Sequence, residues 1–131
     1  MIVDTSALLA IAMREAEFDL FYVMLLRAKR RRMSAASYVE AAEVYLRRVS
    51  EIDGVGLLNR DLARLRIEII PVTAEQAYAA VEARRIYGKG RHRADLNYGD
   101  SFSYALAKTL DEPLLFKGND FIHTDVKRAA P

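Results

Sequence analysis

Ile2-Val3-Asp4-Thr5-Ser6-Ala7-Leu8 carries the reading on which the fold turns. Two β-branched residues make a short strand, three polar residues make a turn, and Ala7 to Met13 reads as a helix. Strand, polar turn and helix together open a βα unit. The alternation recurs downstream. Leu20 to Leu26 is an apolar helical stretch running into Lys29-Arg30-Arg31-Arg32, read as a solvated helix end that complements the dipole. Met33-Ser34 is a short strand end, and Val39, Ala42, Leu46 and Val49 then recur at the spacing of one helical stripe. Ile52 to Leu65 reads as a helix, Ile67 to Val72 as a strand, and Thr73 with Gln76 as a capping box opening a helix through Arg85. Gly88 to Gly99 is a loop. Phe102, Leu106 and Leu110 mark a last helix, Leu114 to Phe116 a buried strand, and Val126 to Pro131 a loosely held tail. Strands alternating with helices predict one three-layer α/β/α domain over residues 1–131, with a central, mainly parallel sheet.

Composition narrows the function classes. With 52% hydrophobic and 29% charged residues the chain is globular rather than disordered. The absence of cysteine excludes a disulfide framework, a thiolate zinc site and a cysteine nucleophile, and it fits a cytoplasmic protein. No apolar run approaches the ~18 residues of a membrane span, and Met-Ile-Val-Asp lacks the basic start of a signal peptide, so no membrane partner is expected. Net charge is only +2, yet 15 of the 20 basic residues are Arg, whose planar fork suits phosphate.

Ligands of open α/β sheets bind outside the carboxyl ends of the strands. Asp4 ends the first strand, and Asp120 lies just past the last. Asp100 sits near the start of the Phe102 helix, and Glu40 in the first turns after Met33-Ser34. Four acids distant in sequence are thereby placed near one edge. Gathering four anions without a cation is unfavourable, and a hard divalent ion such as Mg²⁺ or Mn²⁺ resolves the conflict through oxygen ligands. Each acid also has a plain structural reading: Asp4 as a helix N-cap, Glu40 closing a Ser37-x-x-Glu40 capping box, Asp100 as a helix-start acid, Asp120 as a turn residue after Gly118-Asn119.

Four motifs tie the acids together. Met-Ile-Val-Asp4-Thr5-Ser6-Ala7-Leu8 resembles the opening of PIN-domain ribonucleases, in particular the VapC toxins of type II toxin–antitoxin pairs. Ser37-Tyr38-Val39-Glu40-Ala41 resembles their second motif, and Leu96-Asn97-Tyr98-Gly99-Asp100-Ser101-Phe102-Ser103-Tyr104-Ala105-Leu106-Ala107 their third. Leu114 to Phe121 resembles the fourth. The resemblance spans the chain. It implies a metal-dependent endoribonuclease using Mg²⁺ or Mn²⁺, a VapB-like antitoxin partner and a homodimer. By motif match Asp4 and Asp100 are the implied metal ligands, Glu40 the third acid and Asp120 the fourth. Some family members place that fourth acid two positions earlier, where this chain has Gly118. The resemblance also implies that Thr5 and Ser6 orient Asp4 or bind a water on the metal; a plain helix-capping role is the structural alternative.

Substrate contacts are expected from cations around the acids. Lys89, Arg91, His92 and Arg93 precede the Asp100 helix, and Lys117 lies near Asp120, so these five are the candidate RNA contacts. Tyr38, Tyr98, Phe102 and Tyr104 are core or dimer-face candidates. The competing function is a non-catalytic RNA-binding or regulatory domain on the same fold. Clustered negative charge argues against it, since acids repel the phosphates such a domain must hold.

Overall fold

The computed structural model describes residues 1–131. In chain order the elements are β1 (Ile2–Val3), α1 (Thr5–Ala12), α2 (Phe18–Arg27), β2 (Arg31–Ser34), α3 (Ala35–Arg48), α4 (Gly54–Leu65), β3 (Ile67–Ile70), α5 (Ala74–Tyr87), α6 (Tyr98–Thr109) and β4 (Leu114–Leu115). The four strands form one sheet in the order β3-β2-β1-β4, and every pair is parallel. Alternation along the strands sorts the core into two layers. Ile2 and its register partner Leu114 face a cluster with Leu96, Tyr104, Leu106 and Phe121; Val3 and Leu115 face a larger one with Leu8, Ile11, Met33, Tyr45 and Leu58. Helices therefore cover both faces, as a fully parallel sheet requires.

Several local expectations change. The basic run is not a solvated helix end: α2 stops at Arg27, and Arg31 and Arg32 belong to β2. The Arg31 guanidinium donates to the carbonyls of Leu25 at 2.5 Å, Leu26 at 3.3 Å and Leu65 at 2.8 Å, satisfying carbonyls at the C-terminal ends of α2 and α4. Ile52 lies outside α4, which starts at Gly54, where the Tyr45–Leu46 backbone passes too close for a Cβ. The tail is tied down: the Leu114 N–H donates to the Lys127 carbonyl, and the Ala129 N–H to the Leu114 carbonyl. No helix is long and apolar enough to cross a membrane.

Candidate active site

Strand order reverses at β1, which has β2 on one side and β4 on the other, and a crevice opens at the carboxyl end of such a junction. Asp4 sits there as the N-cap of α1. Its carboxylate accepts the Ser6 N–H at 3.0 Å, the Ser6 hydroxyl at 2.5 Å and the Ser103 hydroxyl at 2.6 Å. The capping role is thus real, and it coexists with a place in the crevice. Thr5 turns its hydroxyl to the Ser37 carbonyl at 3.2 Å. Ser6 is pinned in turn by the Lys117 N–H at 3.0 Å.

The other acids reach the same crevice from separate elements. Asp100 is the third residue of α6, held by a capping box in which the Asn97 side chain accepts the Asp100 N–H and Asp100 accepts the Asn97 N–H, both at 2.8 Å. Burial pushes its carboxyl up to about 7 against the opposing Asn97 hydrogen bond, and Asp4, Asp120 and Glu40 add repulsion. Glu40, on α3, is raised by burial and by Asp4 and Glu43, with the Thr5 hydroxyl opposing. Asp120, exposed on the turn after β4, is raised by partial desolvation, then by Asp4 and Asp95. No Lys or Arg forms an ion pair with any of the four. They face one another without closing into a three-ligand cage.

Glu40 does not close a capping box with Ser37. The N-cap of α3 is Ser34, and Ser37 lies inside the helix with its hydroxyl 3.1 Å from that of Ser103. The carboxylate of Glu40 instead lies over Gly99, where a Cβ would fall 1.9 Å from Oε2.

The candidate RNA contacts separate. Lys89, Arg91 and Arg93 have no ion-pair partner, and Lys89 and Arg91 line a cavity of about 590 Å³ between α5 and α6 with Arg84, Tyr98 and Phe102. That cavity flanks α6 and does not contain the acids. His92 turns into its own loop: Nδ1 accepts the Ala94 N–H at 3.1 Å, and the ring meets Tyr87 edge-on. The Lys117 ammonium sits between Glu15 at 2.7 Å and Glu17 at 2.9 Å, so it is not a free cation. Tyr104 is core, donating to Asp125 at 2.6 Å, whereas Tyr98 is exposed. Sequence reasoning gave Ser37 a capping role that it does not have, and gave Gly99 and Ser103 none. The signal for Ser103 was its place three residues after Asp100, on the same side of one helix.

The PIN domain family model matches residues 1–127. The chain is 48% identical over 130 residues to VapC ribonuclease Mb0640 of Mycobacterium bovis, covering 99% of this chain and 98% of that one. The chain belongs to the VapC ribonucleases. Ribonuclease VapC of Mycolicibacterium smegmatis is 50% identical over 126 residues, covering 96% of this chain and 97% of its own. Among solved structures, Mycobacterium tuberculosis VapC20, described as a sarcin–ricin loop cleaving toxin, superposes with a TM-score of 0.76 at 18% identity, over 99% of this chain and 98% of that one. VapBC2 of Rickettsia felis, bound to a DNA fragment from its promoter, gives 0.75 at 15% identity, over 97% and 94%. These two share the fold, and the closer relatives make the chain a ribonuclease, a hydrolase.

Proposed function

We propose that this VapC ribonuclease hydrolyses RNA phosphodiesters at Asp4, Glu40, Asp100 and Asp120 with Mg²⁺ or Mn²⁺ bound among them. One observation carries the reading: four carboxylates from four parts of the chain converge with no paired cation, and three of them are pushed up by burial and mutual repulsion. An all-oxygen, acid-rich donor set suits a hard divalent ion. Asp4 and Asp100 would hold it, with Glu40 and Asp120 beside them. Such an ion lowers the pKa of a bound water and offsets charge on phosphoryl oxygens.

The chain's own residues do the rest. Ser6 and Ser103 hold Asp4 in one orientation, and the Asn97 capping box holds Asp100, so neither carboxylate must reorganise when substrate arrives. Lys89, Arg91 and Arg93 take the phosphates. His92 shapes their loop, and Lys117 contributes through its backbone N–H to Ser6. Work on RNA fits a place in the cytoplasm. A VapB-like antitoxin meets α2, where Leu20, Val23 and Leu26 are exposed, and a second copy of the chain completes a homodimer.

Incubating purified protein with total RNA tests the reading. Cleavage should require Mg²⁺ or Mn²⁺, stop with EDTA, and be lost in Asp4→Asn while the fold persists. Cleavage that survives EDTA or Asp4→Asn overturns it. Co-expression with the adjacent small open reading frame should yield a copurifying complex.

A further inference from the structure

Three hydrogen bonds fill most of the acceptor capacity of Asp4. Oδ2 takes the Ser6 N–H and the Ser6 hydroxyl, while Oδ1 takes the Ser103 hydroxyl. An ionised carboxylate donates nothing and offers about four lone-pair sites, so one remains, on Oδ1. A hydroxyl has a single proton. That of Ser103 goes to Asp4, which means that the Ser37 hydroxyl, 3.1 Å from Ser103 Oγ, must be the donor in that pair. The result is a directed chain from Ser37 through Ser103 to Asp4.

Its placement matters as much as its direction. Ser103 is completely buried and Ser37 nearly so. Ser37 lies three residues before Glu40 on α3, and Ser103 three residues after Asp100 on α6. Residues three apart share a helix side, so the two hydroxyls lie one turn behind two of the acids and join α3, α6 and the end of β1. Packing alone would be served by alanine at both positions without two buried hydroxyls to satisfy.

We infer that Ser103 is a positioning residue for Asp4, backed by Ser37, which fixes Oδ1 and leaves it one lone pair for a ligand. This rests on the metal-site reading above. Titration of RNA-free protein with Mn²⁺, followed by calorimetry or electron paramagnetic resonance, separates the alternatives. Ser103→Ala should weaken Mn²⁺ binding by about 10–100-fold, the usual consequence of removing a ligand's hydrogen-bond partner. Ser37→Ala should weaken it by a smaller factor. The double variant should bind like Ser103→Ala, because Ser37 acts only through Ser103, and Ser103→Thr should recover much of the loss. A purely structural hydrogen-bonding role between α3 and α6 predicts instead that both alanine variants melt earlier and bind Mn²⁺ like wild type, which overturns the inference. If Ser103→Ala does not fold, Ser37→Ala decides, since it leaves the contact to Asp4 in place: wild-type affinity there overturns the chain. Weak binding by wild type that Asp4→Asn does not change would overturn the metal site itself. Tight wild-type binding, lost in Asp4→Asn but kept in Ser103→Ala, overturns only the positioning role.

Discussion

At the amino edge of the sheet Arg30 and Arg32 meet Glu68 and Glu112, whereas at the carboxyl edge Asp4, Glu40, Asp100 and Asp120 repel one another and meet no cation. The first group does structural work. Arg32 and Glu68 are register partners across β2 and β3, and Arg32 also pairs with Glu112 just ahead of β4, so the ion pairs hold the strands in line. The second group works against the fold: burial and repulsion make its charged form unfavourable. Two ends of one sheet thus carry ionised groups for opposite purposes. An acid with a partner belongs to the scaffold, and acids gathered without one mark where a cation is wanted.

Removing charge at the two ends should have opposite consequences. Asp100→Asn keeps the shape and removes repulsion, so the fold should survive while RNA cleavage falls about 100-fold or more, the scale of several kcal/mol of lost charge stabilisation. A cleavage assay on protein matched by circular dichroism checks this. At the other end Glu112→Gln leaves the largely buried Arg32 short of a partner. Urea unfolding should register a loss of about 2–3 kcal/mol, with cleavage per folded molecule unchanged.

The acidic edge should also invert the usual pH dependence. Asp100 titrates near 7 in the fold, against an ordinary value of 3.8. Between about pH 4 and about pH 7 the folded state therefore holds the extra proton, and metal-free stability should fall as pH rises through that window, then level off. Glu40 and Asp120, also raised, act in the same direction. Melting temperatures measured in EDTA across this range should slope downward, and Mg²⁺ or Asp100→Asn should flatten the slope. A rising slope would place the balance of charge elsewhere.

The smallest effect concerns the unpaired cations of the loop before α6. Changing Lys89, Arg91 and Arg93 together to Ala should flatten the salt dependence of single-stranded RNA binding by about 2 in the log–log slope, roughly 0.7 per phosphate contact. Fluorescence anisotropy in Asp100→Asn with EDTA, where cleavage should be slowest, reads this directly. An unchanged slope would mean that these three cations do not meet the backbone.

Much of this architecture was legible because periodicity and punctuation agreed. β1 and β4 were plain as apolar runs, and the rule that ligands sit beyond strand carboxyl ends put four scattered acids at one edge before any coordinates. β2 was harder. Half of it is Arg, and charged strand residues look like a helix end until Glu68 and Glu112 supply the partners. α6 was read as starting too late, although Asn97 stands three residues before Asp100 and together they form its cap. Ser37 misled by standing three residues before Glu40, when Ser34 takes the capping role and frees Ser37 for the interior. Lys117 and His92 show the limit most clearly. Both sit beside the expected RNA path, and only three-dimensional neighbours reveal the one clasped by Glu15 and Glu17 and the other folded onto Tyr87.

Gly99 has a practical consequence. A methyl group there would land on the Glu40 carboxylate and force it aside, yet no charge would change and no acid would be lost. On the proposed role of Glu40, alanine at this position should lower cleavage by crowding rather than by neutralisation. The protein would still present every carboxylate and every arginine to the proposed partner, so a weakened form could be produced in quantity and used as bait with its electrostatic surface intact.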